Sequence, residues 1–151
     1  MSRLIRRAIA ADEDVAWEIV EEYNTSFGVA LRDDRAALHA YLDGPGALWL
    51  AYHDDALAGC VVLRPLRSAG PRASEVKRLY VRPAHRGAGV AGALMDALEA
   101  HAREAGCDAL YLDSRPDFQA AIRFYERRGY EPVARYNENP EATVFMRLRL
   151  R

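Results

Sequence analysis

Apolar positions along the chain follow two rhythms, and the order in which they alternate predicts the fold. Leu4 to Ile9 reads as a short strand. After Asp12-Glu13-Asp14, which supply an N-cap and an acidic first turn, Val15, Ile19 and Tyr23 share one helical face. A second helix is predicted from Asp33 to Leu42, ended by Gly44-Pro45-Gly46. Ala47 to Tyr52 and Leu57 to Leu66 form a hairpin about His53-Asp54-Asp55, and Val76 to Val81 is a further strand. Val90, Leu94, Leu98 and Ala102 recur every fourth residue, the stripe of a helix packed on a sheet, and Gly106 closes it. Ala109 to Leu112 is a strand, Asp117 a candidate N-cap, and Gln119 to Arg128 a helix stopped by Gly129. Two strands follow, Glu131 to Tyr136 and Thr143 to Leu150. The order β-α-α-β-β-β-α-β-α-β-β predicts an α/β fold with a mixed sheet. Its hairpins make the first half antiparallel, and its later strand-helix-strand crossing requires a parallel pair.

Composition narrows the class. A chain of 151 residues, half of them apolar, fits one domain over residues 1–151 with a real core. No apolar run approaches the roughly 20 residues needed to span a bilayer. The start, Met1-Ser2-Arg3-Leu4-Ile5-Arg6-Arg7, has no secretory h-region, so a cytoplasmic protein is expected, with no membrane partner. Cys60 and Cys107 stand far apart without metal-ligand spacing and read as core residues, and no metal site is expected.

The net charge of −1 conceals an asymmetry. Residues 1–63 carry 5 basic and 11 acidic groups, whereas residues 64–86 carry Arg64, Arg67, Arg72, Lys77, Arg78, Arg82 and Arg86 against Glu75 alone. A globally neutral chain is a poor general binder of nucleic acid, so none is expected as a partner. The concentrated basic segment reads either as a site for a local anion or as a solvated arginine face.

That segment runs into Arg86-Gly87-Ala88-Gly89-Val90-Ala91-Gly92, between a strand and a helix. Small residues let a ligand approach the backbone, and the following helix presents unpaired N–H groups at a positive dipole end. Such a loop can hold a pyrophosphate, or can simply turn the chain. It does not match G-x-x-x-x-G-K-[ST].

Two signatures carry a resemblance. Arg86, Gly89 and Ala91 meet [QR]-x-x-G-x-[GA], and Ala121, Ile122, Tyr125, Gly129 and Tyr130 meet A-I-x-x-Y-x-x-x-G-[FY]. With Leu79-Tyr80-Val81-Arg82-Pro83 before them, the stretch from Glu75 to Tyr130 resembles the GNAT superfamily of acetyl-CoA-dependent N-acetyltransferases. Tyr136-Asn137-Glu138-Asn139-Pro140 is similar to small bacterial members of unassigned substrate. The resemblance implies acetyl-CoA as co-substrate and a primary amine as acceptor, joined by direct attack in a ternary complex. It implies that backbone N–H groups of Arg86, Gly87, Ala88, Gly89, Val90 and Ala91 hold the pyrophosphate. The main chain of Leu79, Tyr80 and Val81 would pair with the pantetheine arm. Glu75, eleven residues before Arg86, occupies the strand position of the family's catalytic glutamate and is the implied base. Tyr125 matches the tyrosine set near the CoA sulfur and is the implied acid. One departure is Phe118, seven residues before Tyr125, where many members have Asn.

Glu18, Glu21, Glu22, Asp33 and Asp34 lie in or between the first two helices, which favours a cationic acceptor such as a polyamine or a lysine side chain; a solvated acidic face is the competing reading. Two other functions compete with catalysis: an acyl-CoA-binding module without activity, and an interaction scaffold. Exposed terminal strands offer an edge for a homodimer.

Overall fold

The computed structural model describes residues 2–30 and 32–151; Met1 and Leu31 lie outside the described residues. Seven strands, β1 (Arg3–Arg7), β2 (Ala47–His53), β3 (Ala56–Pro65), β4 (Ala73–Val81), β5 (Ala109–Ser114), β6 (Glu131–Pro132) and β7 (Val144–Arg149), hydrogen-bond in the order β1-β2-β3-β4-β5-β7-β6. The helices are α1 (Glu13–Ser26), α2 (Arg35–Leu42), α3 (Val90–Glu104) and α4 (Gln119–Arg127). The fold is the predicted mixed α/β sheet. β1, β2 and β3 form antiparallel ladders, and β4 runs parallel to β5.

Two compact units make up the chain. The first comprises Met1–Arg64 with Lys77–Ala102. Its core gathers Ile19 and Val20 of α1, Leu38 of α2, Leu48 and Leu50 of β2, Cys60 and Val62 of β3, and Tyr80 of β4. β2 is buried along Ala47–Ala51, so its signal is a continuous apolar run rather than an alternation. The α3 stripe predicted from spacing is the buried one: Val90, Leu94, Leu98 and Ala102, joined by Met95. Asp34 caps α2 by accepting from the Ala37 N–H at 2.8 Å.

The second unit comprises Pro65–Val76 with Arg103–Arg151. Here Ala73–Glu75 of β4 pair with Ala109–Tyr111 of β5. β5 alternates half-buried and buried positions along its length and pairs with β7 from Ala109↔Arg149 to Ser114↔Val144.

Two local expectations need correction. Asp117 does not cap α4: Phe118 takes the N-cap position, and the Asp117 carboxylate pairs instead with Arg115 at 2.9 Å. The strand expected over Glu131–Tyr136 stops at Pro132: the Val133 N–H still donates to the Phe145 carbonyl at 2.8 Å, and beyond it side-chain contacts to Glu75 and Asp113 replace the ladder. The chain from Val133 to Thr143 is irregular, and it carries Tyr136 and Asn137 onto Glu75.

Within the first unit, β3 and β4 approach too closely for a side chain at Gly59. A Cβ built there lies 2.4 Å from the Tyr80 carbonyl oxygen. That backbone contact cannot relax by a rotamer change, so Gly59→Ala is expected to destabilise the fold by about 2–3 kcal/mol. Thermal unfolding should show a midpoint lowered by roughly 5–10 °C; an unchanged midpoint would mean that β3 and β4 can separate without loss.

Candidate active site

The loop before α3 is built from left-handed glycines. Gly87 and Gly89 stand at φ +82° and +78°, a region that side-chain-bearing residues avoid. Among the described residues, six consecutive backbone N–H groups, from Gly87 to Gly92, donate to no acceptor in the chain; the helical ladder opens with Ala93 N–H to Gly89 O at 3.1 Å. The first turn of any helix leaves such donors unpaired. Here the preceding glycine loop extends the row, and Gly87 and Gly89 are exposed. A Cβ on Gly87 would meet nothing within 4 Å. Aligned donors at a positive helix end, with open space at Gly87 and a guanidinium beside Gly89, fit a phosphate or pyrophosphate.

The side chains around this loop are distributed otherwise than the charge count suggested. The Arg86 Nε donates to the Val81 carbonyl at 2.9 Å, folding its guanidinium back onto β4. Arg82 pairs with Glu22 at 3.0 Å and Glu18 at 3.3 Å, and Arg78 with Asp33 at 3.2 Å. Two of the seven basic residues, Arg78 and Arg82, are therefore matched by acids of α1 and the segment before α2. The five acids behind the expectation of a cationic acceptor are all engaged: Glu18, Glu22 and Asp33 by these arginines, Glu21 by Arg32 at 3.8 Å, and Asp34 as the α2 cap. The acidic count of that segment does not mark a free acidic surface.

β4 is strained where it nears the loop. Arg78 takes φ +57°, an uncommon conformation for a residue with a Cβ. Its guanidinium is anchored on Asp33 and over the Tyr23 ring, 5.6 Å from the centroid. Its carbonyl accepts from the Cys60 thiol at 3.3 Å. Burial pushes that thiol up to about 12, so Cys60 stays protonated at neutral pH and packs as a core residue. Tyr80, also on β4, donates its hydroxyl to Glu22 at 2.7 Å.

In the second unit Glu75 is buried at 1% exposure. Its Oε2 accepts from the Tyr136 hydroxyl at 2.7 Å and the Asn137 Nδ2 at 3.3 Å. The same Asn137 Nδ2 donates to Asp113 at 2.6 Å, and Asn139 Nδ2 reaches Asp113 at 3.3 Å. Two carboxylates are thus bridged by one amide. The Tyr136 ring packs against Tyr111 and Phe145, which fixes the hydroxyl on Glu75. Tyr125 is 8% exposed, with its ring against Phe124 and Tyr130. Phe118 lies beneath the Arg115 guanidinium, 4.9 Å from its centre. Sequence reasoning found Glu75 but not its partner Asn137, nor Asp113 on the other side of that amide, because these contacts close loops of 62 and 24 residues.

His53 and His85, which look scattered in sequence, meet with their Nδ1 atoms 3.3 Å apart at the start of the glycine loop.

Comparison with known proteins identifies relatives of one family. The model of the acetyltransferase (GNAT) family matches residues 13–130. An uncharacterised N-acetyltransferase of Schizosaccharomyces pombe is 32% identical over 140 residues, spanning 87% of this chain and 85% of its own. The uncharacterised N-acetyltransferase YsnE of Bacillus subtilis is 34% identical over 115 residues, 72% of this chain and 74% of its own. A GNAT-family acetyltransferase of Staphylococcus aureus superposes with a TM-score of 0.84 over 99% of this chain and all of that one, at 20% identity. The PaiA N-acetyltransferase of Thermoplasma acidophilum, solved in complex with coenzyme A, has a TM-score of 0.76 over 99% of both chains, at 16% identity.

The Glu22 contacts carry a pH signature. Desolvation raises its pKa, but hydrogen bonds from Tyr80 and Arg82 outweigh it and hold the carboxyl below its ordinary 4.5. A carboxyl depressed on folding adds stability that is complete above its unfolded value and is lost as pH falls through its folded one. Between about pH 5 and pH 3 the wild-type thermal midpoint should fall more steeply than that of Glu22→Gln. Parallel curves would show that these hydrogen bonds do not favour the charged carboxylate.

Proposed function

Because the chain belongs to the acetyltransferase (GNAT) family, we propose that it transfers an acetyl group from acetyl-CoA to a primary amine by direct attack in a ternary complex. The observation that carries this reading is the row of six unpaired N–H groups from Gly87 to Gly92. The N–H groups from Gly87 to Ala91 would hold the pyrophosphate there, while that of Arg86, expected from the sequence to join them, is taken by the Pro83 carbonyl at 3.3 Å; the main chain of Leu79, Tyr80 and Val81 would align the pantetheine arm. Acetyl-CoA supplies an activated thioester; the protein's part is to bind it, orient it and move protons.

An alkylamine is protonated at neutral pH and must lose a proton before or during attack. Glu75 accepts that proton, directly or through one water. The Tyr136 and Asn137 donors hold one of its oxygens in place, so the carboxylate keeps a fixed orientation. The amine nitrogen bonds to the acetyl carbon, the carbon–sulfur bond breaks, Tyr125 gives its hydroxyl proton to the departing sulfur, and the second proton leaving the new amide nitrogen returns to the tyrosinate through solvent. A phenol is ordinarily a weaker acid than a thiol, about 10 against about 8.5, so this proton transfer is uphill on its own and contributes less than correct binding.

Thiol release from acetyl-CoA, measured across a panel of acidic, neutral and basic amines, tests the activity. Glu75→Gln is expected to lower kcat by about 10²- to 10³-fold and Tyr125→Phe by about tenfold or more, with acetyl-CoA binding retained in both. If acetyl-CoA binds while neither substitution changes turnover, the protein is an acyl-CoA-binding module and the proton assignments fall.

A further inference from the structure

A loop rich in glycine can present its N–H groups or turn them away, and something must choose. At the Ala88–Gly89 peptide the chain itself does not. Rotating that peptide changes ψ of Ala88 and φ of Gly89, and glycine occupies positive and negative φ about equally well. Gly89 stands at φ +78°. A rotation would put the Ala88 carbonyl where the Gly89 N–H now is and set an acceptor against any anion.

We infer that Arg3, at the start of β1, is the residue that fixes this peptide and thereby positions the Gly89 N–H for the cofactor phosphates. The Arg3 Nη1 donates to the Ala88 carbonyl at 2.8 Å, across 85 residues of sequence. Among the described residues it is the only side chain on that oxygen, and this is the only hydrogen bond Arg3's side chain makes. The guanidinium also lies over Gly89, 2.9 Å from where a Cβ would stand. Across a trans peptide the C=O and the next N–H point in opposite directions, so a cation bound to the oxygen turns the hydrogen outward on the far side. It polarises the same peptide, which makes that N–H a stronger donor.

Arg3 is itself held. Its backbone pairs with His53 in the β1–β2 ladder. Just before it, Ser2 is fixed from both sides by Asp54 of the β2–β3 turn: the Ser2 N–H donates to the Asp54 carboxylate, and the Asp54 N–H to the Ser2 carbonyl, each at 2.8 Å. His53, the register partner, meets His85 at the start of the loop. The ends of β1 and β2 thus brace the loop at two points. Arg3 precedes the span that matches the family model, which begins at residue 13.

The inference rests on the cofactor reading above, and two measurements separate their failures. Calorimetric titration of CoA into Arg3→Gln should show a Kd raised about tenfold, the effect of losing one charge-assisted hydrogen bond. Arg3→Lys should recover part of it, while kcat at saturating acetyl-CoA and the acceptor KM stay at wild-type values. In the ligand-free protein labelled with ¹⁵N-glycine, the Gly89 amide resonance, assigned by its absence in Gly89→Ala, should shift or split in Arg3→Gln. It should stay in place in Arg7→Gln, a control on the same strand. An unmoved Gly89 resonance in Arg3→Gln overturns the inference. So does wild-type CoA affinity in that variant. If the wild-type protein fails to bind CoA, the cofactor reading is what falls, and the Gly89 resonance still decides the role of Arg3.

Discussion

The first turn of α3 leaves backbone N–H groups with no carbonyl to receive them, and that unmet demand organises the rest of the site. A helix end is normally satisfied by a capping side chain or by water. Here the preceding residues are Gly87, Ala88 and Gly89, which offer no capping oxygen, and the row of unpaired donors lengthens to six. Gly59 lets β3 lie against the Tyr80 carbonyl, Arg86 folds away onto Val81, and Arg3 holds the Ala88 oxygen. Strain at Arg78, tied down by Asp33 and Tyr23, belongs to the same strand.

The two carboxylate sets of the protein have different tasks. Glu22, Glu18 and Asp33 neutralise arginines of β4 and the residue after it, and so act as structure. Glu75 is held by a tyrosine hydroxyl and an amide, donors that orient a carboxylate without the full positive charge of a salt bridge. The proposed role of Glu75 as the base draws on that difference of environment.

Periodicity made much of the fold legible. The α3 stripe, the β1–β2–β3 ladders and the parallel step from β4 to β5 are all visible in the spacing of apolar residues, because each depends on local pattern. The glycine loop and Glu75 were visible through the family signatures. What stayed hidden depends on contacts between distant parts of the chain. Tyr136 reaches Glu75 across 61 residues, and Arg3 reaches Ala88 across 85. The charge asymmetry was legible as a count, but a count cannot show that Arg82 and Arg78 are matched to Glu22 and Asp33. The early end of β6, after which the chain delivers Asn137 to two carboxylates, is likewise a tertiary fact.

The most direct measurement is a backbone amide map of the labelled protein titrated with CoA. If the loop is the phosphate cradle, the largest changes fall on the amides of Gly87 to Gly92, with smaller ones on Leu79 to Val81. If CoA binds and leaves the loop amides unmoved, the ligand sits elsewhere and the unpaired donors are only a helix end.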